Sequence, residues 1–404
     1  MQKKRIIIVI IAGLLLIAVI FTLINLKDIK QKGLGGFFSD LFNIKGEKRL
    51  VANIINTEDK KAISYAIYKD SIVYAGNQGI LAMDFKGGLL WDETSVSFLK
   101  PYMKAVGSYL AIAEIDGGQV LLFKDGKLVW KNEFAKGVRT IDVSKDGYVA
   151  VLHNEENYSA VMTVLKPTSS DGKAGDKLFA YHIKIGKESV ISATISQDSG
   201  QIVLSSLNTE DARITGSLNF INMDNGESYS TIVLENQVYP FVKYIDNETL
   251  LAVNTGSANK IKRHKTVSKD SDFSKDIWSD KNIKNIYAAD VYGNYILLAG
   301  GNDEENSFGN NSEAFVFIID SGNNDKVIKK INVSGTVEKI TSGKESFAVS
   351  DSKHVTIYNF KGDKLYDYTT VSEIQKVLIA DIDNYVVVTS KDIHILKAER
   401  YKEE

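Results

Sequence analysis

Few residue types in this chain could do chemistry. None of the 404 residues is cysteine, which removes disulfides, thiolate metal sites, a cysteine nucleophile and the lipid-bearing cysteine of a bacterial lipoprotein. The five histidines, His153, His182, His264, His354 and His394, are scattered with no pair at metal-ligand spacing, so no metal site is expected. No HExxH, GxSxG or Walker A pattern occurs. Ser170 and Lys173 have the spacing of a serine-lysine pair, but they sit in a polar loop, KPTSSDGKAGDK, whose composition yields such coincidences. What remains is charge. One set is acidic: Glu114 and Asp116, Glu155 and Glu156, Glu210 and Asp211, then Asp303, Glu304 and Glu305. A second is basic: Lys260, Lys262, Arg263, His264, Lys265 and Lys269. A third consists of Arg139, Asp142, Lys243 and Asp290, polar residues in otherwise apolar stretches. Their meaning depends on the elements that carry them.

Those elements are strands. Residues 119–134, QVLLFKDGKLVWKNEF, read as a β-hairpin: an alternating run, an Asp-Gly turn signal, and a second alternating run. Related hairpins occur at residues 79–93 (GILAMDFKGGLLWDE) and 354–368 (HVTIYNFKGDKLYDY). In each, a glycine stands four residues before an aromatic: Gly87 and Trp91, Gly126 and Trp130, Gly362 and Tyr366. From Glu47 onward, strands follow one another with turn signals every 8 to 12 residues or so and no long amphipathic helix, the pattern of an all-β fold. A repeated hairpin in such a chain points to a propeller, in which each unit buries its faces against its neighbours.

Seven repeats can be marked off, beginning near residues 61, 99, 137, 189, 237, 283 and 335. Residues 372–397 then supply three strands, and residues 49–56 (RLVANIIN) a strand with no unit of its own. Joined, they make an eighth four-stranded blade that closes the ring and removes its exposed edge. Residues 47–404 give about 45 residues per blade for eight blades; seven is the alternative if two units merge.

This architecture places the charges. In an up-and-down blade, the loops from second to third strand and from one blade to the next lie on one face of the disc. The acidic residues fall in the second-to-third loops and offer a docking surface for a basic partner or divalent cations; ordinary solvated loop tips are the alternative. Alternation splits the 260–269 basic set between two sides, as on a solvated outer strand. The innermost strands (residues 101–106, 138–143 and 286–291) start apolar, and Arg139, Asp142, Lys243 and Asp290 are the candidates for lining the central channel.

The first 46 residues differ from the rest. Ile6 to Leu26 is a run of 21 residues without a formal charge, which as a helix reaches about 32 Å and spans a bilayer. Lys3, Lys4 and Arg5 before it form a short basic tail of the kind that stays cytoplasmic. A cleaved signal peptide would have a shorter apolar region and a small-residue cleavage site, so residues 1–5 read as a cytoplasmic tail, 6–26 as a transmembrane helix, 27–46 as a linker and 47–404 as an extracytoplasmic propeller. Within the linker, Phe37, Phe38, Leu41 and Phe42 lie on one helical face, either resting on the membrane or packed under the propeller. Setting aside residues 1–32, with six of the 49 basic and one of the 51 acidic side chains, leaves 43 against 50. A body of net charge −7 disfavours nucleic acid as a partner.

Asp125-Gly126-Lys127-Leu128-Val129-Trp130 resembles the glycine-lysine-x-x-tryptophan turn of quinoprotein-type (PQQ-like) propeller repeats, and Lys86-Gly87-Gly88-Leu89-Leu90-Trp91 is a looser version. The whole chain resembles bacterial single-pass membrane proteins with an extracytoplasmic PQQ-like or WD-repeat-like propeller, a family without an established biochemical role. It is also similar to the propeller of outer-membrane assembly scaffold lipoproteins, which bind other proteins but carry their lipid on a cysteine. Quinoprotein dehydrogenases would bring a quinone cofactor over calcium, and the repeat turn does not carry that site, so no cofactor is expected. The turn glycine permits a tight reversal and the tryptophans pack between blades. The resulting expectation is a scaffold in the bacterial envelope that docks a protein or polymer and is not an enzyme. The alternative is a small-ligand sensor or enzyme using the channel. The strand order also places the tether on the face opposite the acidic loops.

Overall fold

The computed structural model describes residues 48–56, 64–184, 188–208, 214–262, 273–278, 285–301 and 313–400. They form eight four-stranded antiparallel sheets. Seven sheets take their strands in chain order from the axis outward: residues 64–93, 101–133, 138–184, 189–235, 241–278, 285–334 and 339–369, here blades 1 to 7. Blade 8 takes three strands from the end of the chain (Ile374–Ile379, Asn384–Thr389 and Asp392–Arg400) and its outermost from the start, Lys48–Asn56. Residues 51–397 make one compact unit, an eight-bladed propeller closed by strands from both ends, as the repeat count requires.

The second strand of each blade is covered on both faces and correspondingly reads as a continuous apolar run. Ser71–Gly76 is buried at every position, as are Val149–His153 and Thr249–Val253. Buried clusters lie between adjacent sheets: Tyr68, Val73 and Ile80 of blade 1 with Met103, Leu110 and Leu121 of blade 2, for example. The fourth strands alternate between covered and solvated residues.

The spacing of glycine and aromatic in the hairpins has a physical cause that spans two blades. Gly126 adopts a left-handed conformation with φ of 78° after Asp125 at 53°, the two positive values that a type I′ hairpin turn needs. A Cβ on Gly126 would lie 3.2 Å from the indole nitrogen of Trp91, which belongs to the preceding blade. Trp130 in turn lies under Gly175 of blade 3, and Phe179 of blade 3 under Gly226 of blade 4, where a Cβ would come within 2.7 and 2.6 Å of the rings. Each aromatic is therefore a wedge under the turn of the next blade. Pairing across the third and fourth strands is bulged beside Trp91, Trp130, Phe179, Ser230, Lys329 and Tyr366 alike, and a bulge at a fixed place re-aims the side chain in each of these six blades. Between blades 6 and 7 the wedge is Lys329, whose stem lies on Gly362. A groove of about 730 Å³ remains there, lined by Asn332, Thr356, Tyr358 and Asp367 among others.

Three expectations fall outside the described residues. Ile6 to Leu26 and the Phe37 to Phe42 segment precede residue 48, and the side assigned to the tether rests on Gly46 and on residues 302–312. Among the described residues no helix is long and apolar enough to cross a membrane.

Candidate functional site

The innermost strands are edge strands, and their outward N–H and C=O groups face the channel rather than a partner strand. Such groups must be satisfied by water or side chains. Here, side chains from neighbouring blades do much of it, at most of the junctions. Asp142 Oδ2 of blade 3 accepts from Ile195 N of blade 4 at 2.9 Å. Asp290 Oδ2 of blade 6 accepts from both the backbone N and the Oγ of Ser342 in blade 7, each at 2.7 Å. Lys243 of blade 5 donates to Asp290 Oδ1 at 2.7 Å and to the Val291 carbonyl at 3.0 Å. Lys339 of blade 7 donates to the Ile374 carbonyl at 2.9 Å, and Lys376 of blade 8 to that of Tyr65 in blade 1 at 2.8 Å. Tyr68 OH donates to the Ser108 carbonyl at 2.6 Å between blades 1 and 2, and Gln197 Nε2 to that of Ile245 at 2.8 Å between blades 4 and 5. Lys104 of blade 2 closes the set, 3.7 Å from Asp142 Oδ1.

Three of the four residues expected in the channel are thus brought to the blade junctions of one ring: Asp142, Lys243 and Asp290. Arg139 is not among them. It is exposed, and its Nε donates to Asn154 Oδ1 at 2.6 Å and its Nη2 to the Ser159 carbonyl at 2.8 Å, so its long side chain reaches along its own blade to the second-to-third loop. Sequence reasoning missed Lys104, Lys339 and Lys376. A signal for Lys104 was present: Pro101-Tyr102-Met103-Lys104 and Pro240-Phe241-Val242-Lys243 place lysine three residues after proline in two innermost strands. The structure shows why they match, because each lysine pairs with an aspartate of the following blade.

The charges perturb one another. Asp142 raises the pKa of Lys104, against the opposing effect of desolvation. Lys376 is pushed below the ordinary lysine value, first by burial and then by the Lys104 ammonium. Proximity of two ammonium groups disfavours the charged form in this way.

The acidic loop residues are less available than their composition suggests. Glu114 accepts from the backbone N–H groups of Leu99 and Lys100 at 2.8 and 2.6 Å, pinning the loop that enters blade 2. Asp116 pairs with Lys100 at 2.7 Å and Glu156 with Lys136 at 3.1 Å, while Glu155 is exposed. Glu210, Asp211, Asp303, Glu304 and Glu305 lie outside the described residues, as do residues 263–269 of the basic set. Lys260 is on the third strand of blade 5, not an outer one, and is sunk in the junction with blade 6, where it pairs with Asp325 at 2.7 Å. That face of the disc also carries apolar residues: Leu99 is 75% exposed and Val371 91%. Beside the channel mouth, the starts of the innermost strands of blades 5, 6 and 7 enclose a hollow of about 370 Å³ lined by Phe241, Thr255, Ile286, Tyr287, Glu338 and Ile340, among others. Among the described residues no group of three or more metal-ligating side chains is placed to hold an ion.

Fold and ring together define a repeat-built β-propeller of the broad class that includes PQQ-like and WD40 proteins. The chain belongs to the family of unknown function DUF5711, which it matches over residues 46–397. No curated protein matches it by sequence. Among solved structures it is similar to BamB from Moraxella catarrhalis, with a TM-score of 0.52 at 12% identity, covering 88% of this chain and 99% of that one. It is also similar to Chaetomium thermophilum Sqt1 bound to the N-terminus of the ribosomal protein L10, with a TM-score of 0.54 at 10% identity over 87% and 97% of the two chains. Quinohemoprotein alcohol dehydrogenase from Comamonas testosteroni gives 0.55 at 11% identity, over 90% and 78%. At these identities the likeness is one of fold.

Proposed function

We propose that this protein is a non-enzymatic scaffold of the bacterial envelope, tethered through Ile6 to Leu26 with residues 1–5 in the cytoplasm, whose extracytoplasmic propeller docks another envelope protein or polymer on its loop face. The observation that carries this reading is the commitment of Asp142, Lys243 and Asp290 to bonds between blades. A catalytic acid or base must be able to exchange its proton with a substrate, and these groups instead hold the channel wall together. The loop face offers what a docking surface needs, exposed Leu99 and Val371 and the hollow beside the channel mouth. Propellers of this shape include one that holds a protein segment, the N-terminus of ribosomal protein L10 on Sqt1.

The test is site-specific photo-crosslinking in intact cells from Val371 and from Thr255 on the loop face, with Lys361 on the opposite face as control. A discrete adduct from Val371 or Thr255 and none from Lys361 is the expected result. Only abundant background from all three positions counts against docking. Deleting residues 6–26 should move the protein out of the membrane fraction, and retention there would refute the tether.

A further inference from the structure

Each outermost strand begins at the rim of the face opposite the loop face, and the residue just before its bulge holds that corner. Blades 1 and 2 place Leu89 and Leu128 there, whereas blades 3, 4 and 7 place Lys177, Ser228 and Lys364. In blade 6 the corner is Val327, with Lys364 of blade 7 beside it. Blade 8 meets the turn of blade 1 through Asn53, which donates from Nδ2 to the Lys86 carbonyl at 3.2 Å and lies 3.5 Å from where a Cβ on Gly87 would stand. Asn53 therefore holds the place that Trp91 holds against Gly126 of blade 2, and its corner residue, two positions earlier, is Val51. Three consecutive blades, 8, 1 and 2, thus present Val51, Leu89 and Leu128 in one row, 41%, 61% and 43% exposed. Leu90, the bulged residue after Leu89, is 55% exposed, and Trp91 next to it is partly exposed although it stacks on Phe123 of blade 2.

Contiguous exposed apolar side chains mark a surface that something covers. Here the row is leucine and valine edged by an indole, with Lys86 and Lys127 exposed in the adjoining turns. That composition suits the boundary of a bilayer: the apolar side chains enter it, the indole takes the interface, and the lysine stems reach back to the headgroups. We propose that this corner of blades 8, 1 and 2 rests on the lipid surface. The occupant is lipid rather than protein because the strand carrying Val51 is the one by which the chain enters the propeller, so this corner lies nearest along the chain to Ile6–Leu26. The contact rests on the tether proposed above and is independent of docking on the loop face, which it leaves free. Since the body of the protein is acidic, apolar insertion carries the contact and no anionic lipid is needed.

The chain contains no cysteine, so Leu89→Cys, Leu128→Cys and Val371→Cys variants each carry one environment-sensitive fluorophore at a known place. The full chain is reconstituted into phosphatidylcholine vesicles with and without lipids bearing a doxyl quencher on the acyl chain. Labels at positions 89 and 128 should lose about half of their emission or more to the quencher, as groups at the acyl boundary do, and the label at position 371 should lose none. Equal emission with and without quencher at 89 and 128 would overturn the proposal. So would emission that is shifted to the blue but unquenched, because a second copy or another protein would then cover the corner. Flotation separates the two readings: a chain that does not float with the vesicles loses the tether and this contact together, whereas one that floats with unquenched labels loses the contact alone. If the labelled variants do not fold, the unaltered protein in vesicles of a photoreactive phospholipid gives the answer. Lipid adducts on residues 86–91 and 127–131 and none at residue 371 are expected, and absence of adducts from both segments would sink the contact.

Discussion

Asp290→Ala should loosen three blades at once. The carboxylate of blade 6 receives Lys243 from blade 5 at 2.7 Å, the Ser342 backbone N–H and hydroxyl from blade 7 at 2.7 Å each, and Val291 N at 2.8 Å. Hydrogen bonds to a charged group contribute about 1.5–3 kcal/mol each when fully buried. Asp290 is 17% exposed and Lys243 43%, so water screens the ion pair and can solvate the abandoned ammonium, which also keeps the Val291 carbonyl. The Ser342 N–H is the larger loss, because it points from an edge strand and Asp290 is its acceptor. Allowing for non-additivity, we expect about 3 kcal/mol of destabilisation, and about 2 for Asp290→Asn, which keeps one acceptor oxygen. With an m-value of about 3 kcal/mol per molar urea or more for a chain this long, the alanine variant should shift the urea midpoint down by up to about 1 M. The assay is equilibrium unfolding followed by far-ultraviolet circular dichroism, run as a double-mutant cycle with Lys243→Ala. Purely additive losses would refute coupling across the junction, and an unmoved midpoint in Asp290→Ala would refute the ring as a structural element.

Two further expectations follow from the junctions. Trp130→Ala removes a side chain that is 1% exposed, wedged under Gly175, and donating from its indole nitrogen to the Lys166 carbonyl at 3.0 Å; it should cost about 3–5 kcal/mol, more than Trp91→Ala, whose ring is partly exposed, as compared by urea midpoints. The second concerns pH. Burial is the main cause holding His153 and His394 below the ordinary histidine pKa. A folded-state value below the unfolded one means that the unfolded chain binds more protons, so this contribution is complete above the unfolded value of about 6.5 and is lost as pH falls below it. Urea midpoints should therefore drop between pH 7 and pH 5, by at most about 1.4 kcal/mol per pH unit for each histidine, and a His153→Gln, His394→Gln variant should show a shallower drop.

Much of the fold was legible because the signals were local. The Asp125-Gly126 turn, the continuous apolar second strands and the orphan strand at residues 49–56 each announce their conformation within ten residues. The spacing of Gly126 and Trp130 was visible too, but its reason was not: the glycine accommodates Trp91, 35 positions earlier, and Trp130 needs Gly175 in the following blade. A pattern repeated within each hairpin was therefore recording contacts between hairpins.

The site was legible in proportion to how short its side chains are. Asp142 and Asp290 bond the next blade directly, so naming their strand was enough to place them. Arg139 sits on the same strand as Asp142 but carries its charge several ångströms along the blade to Asn154, and strand alternation cannot foresee that reach. Lys376 and Lys339 were overlooked because a lysine near the start of a strand reads as a solvated end, whereas here the strand ends line a channel whose edge carbonyls need donors. Glu114 misled for the complementary reason: a carboxylate in an acidic loop reads as surface charge, while in the folded chain it holds the N–H groups of residues 99 and 100, which no third strand can reach. In a propeller, polar residues near strand ends first satisfy backbone left open by the ring, as Lys339, Lys376 and Glu114 do here.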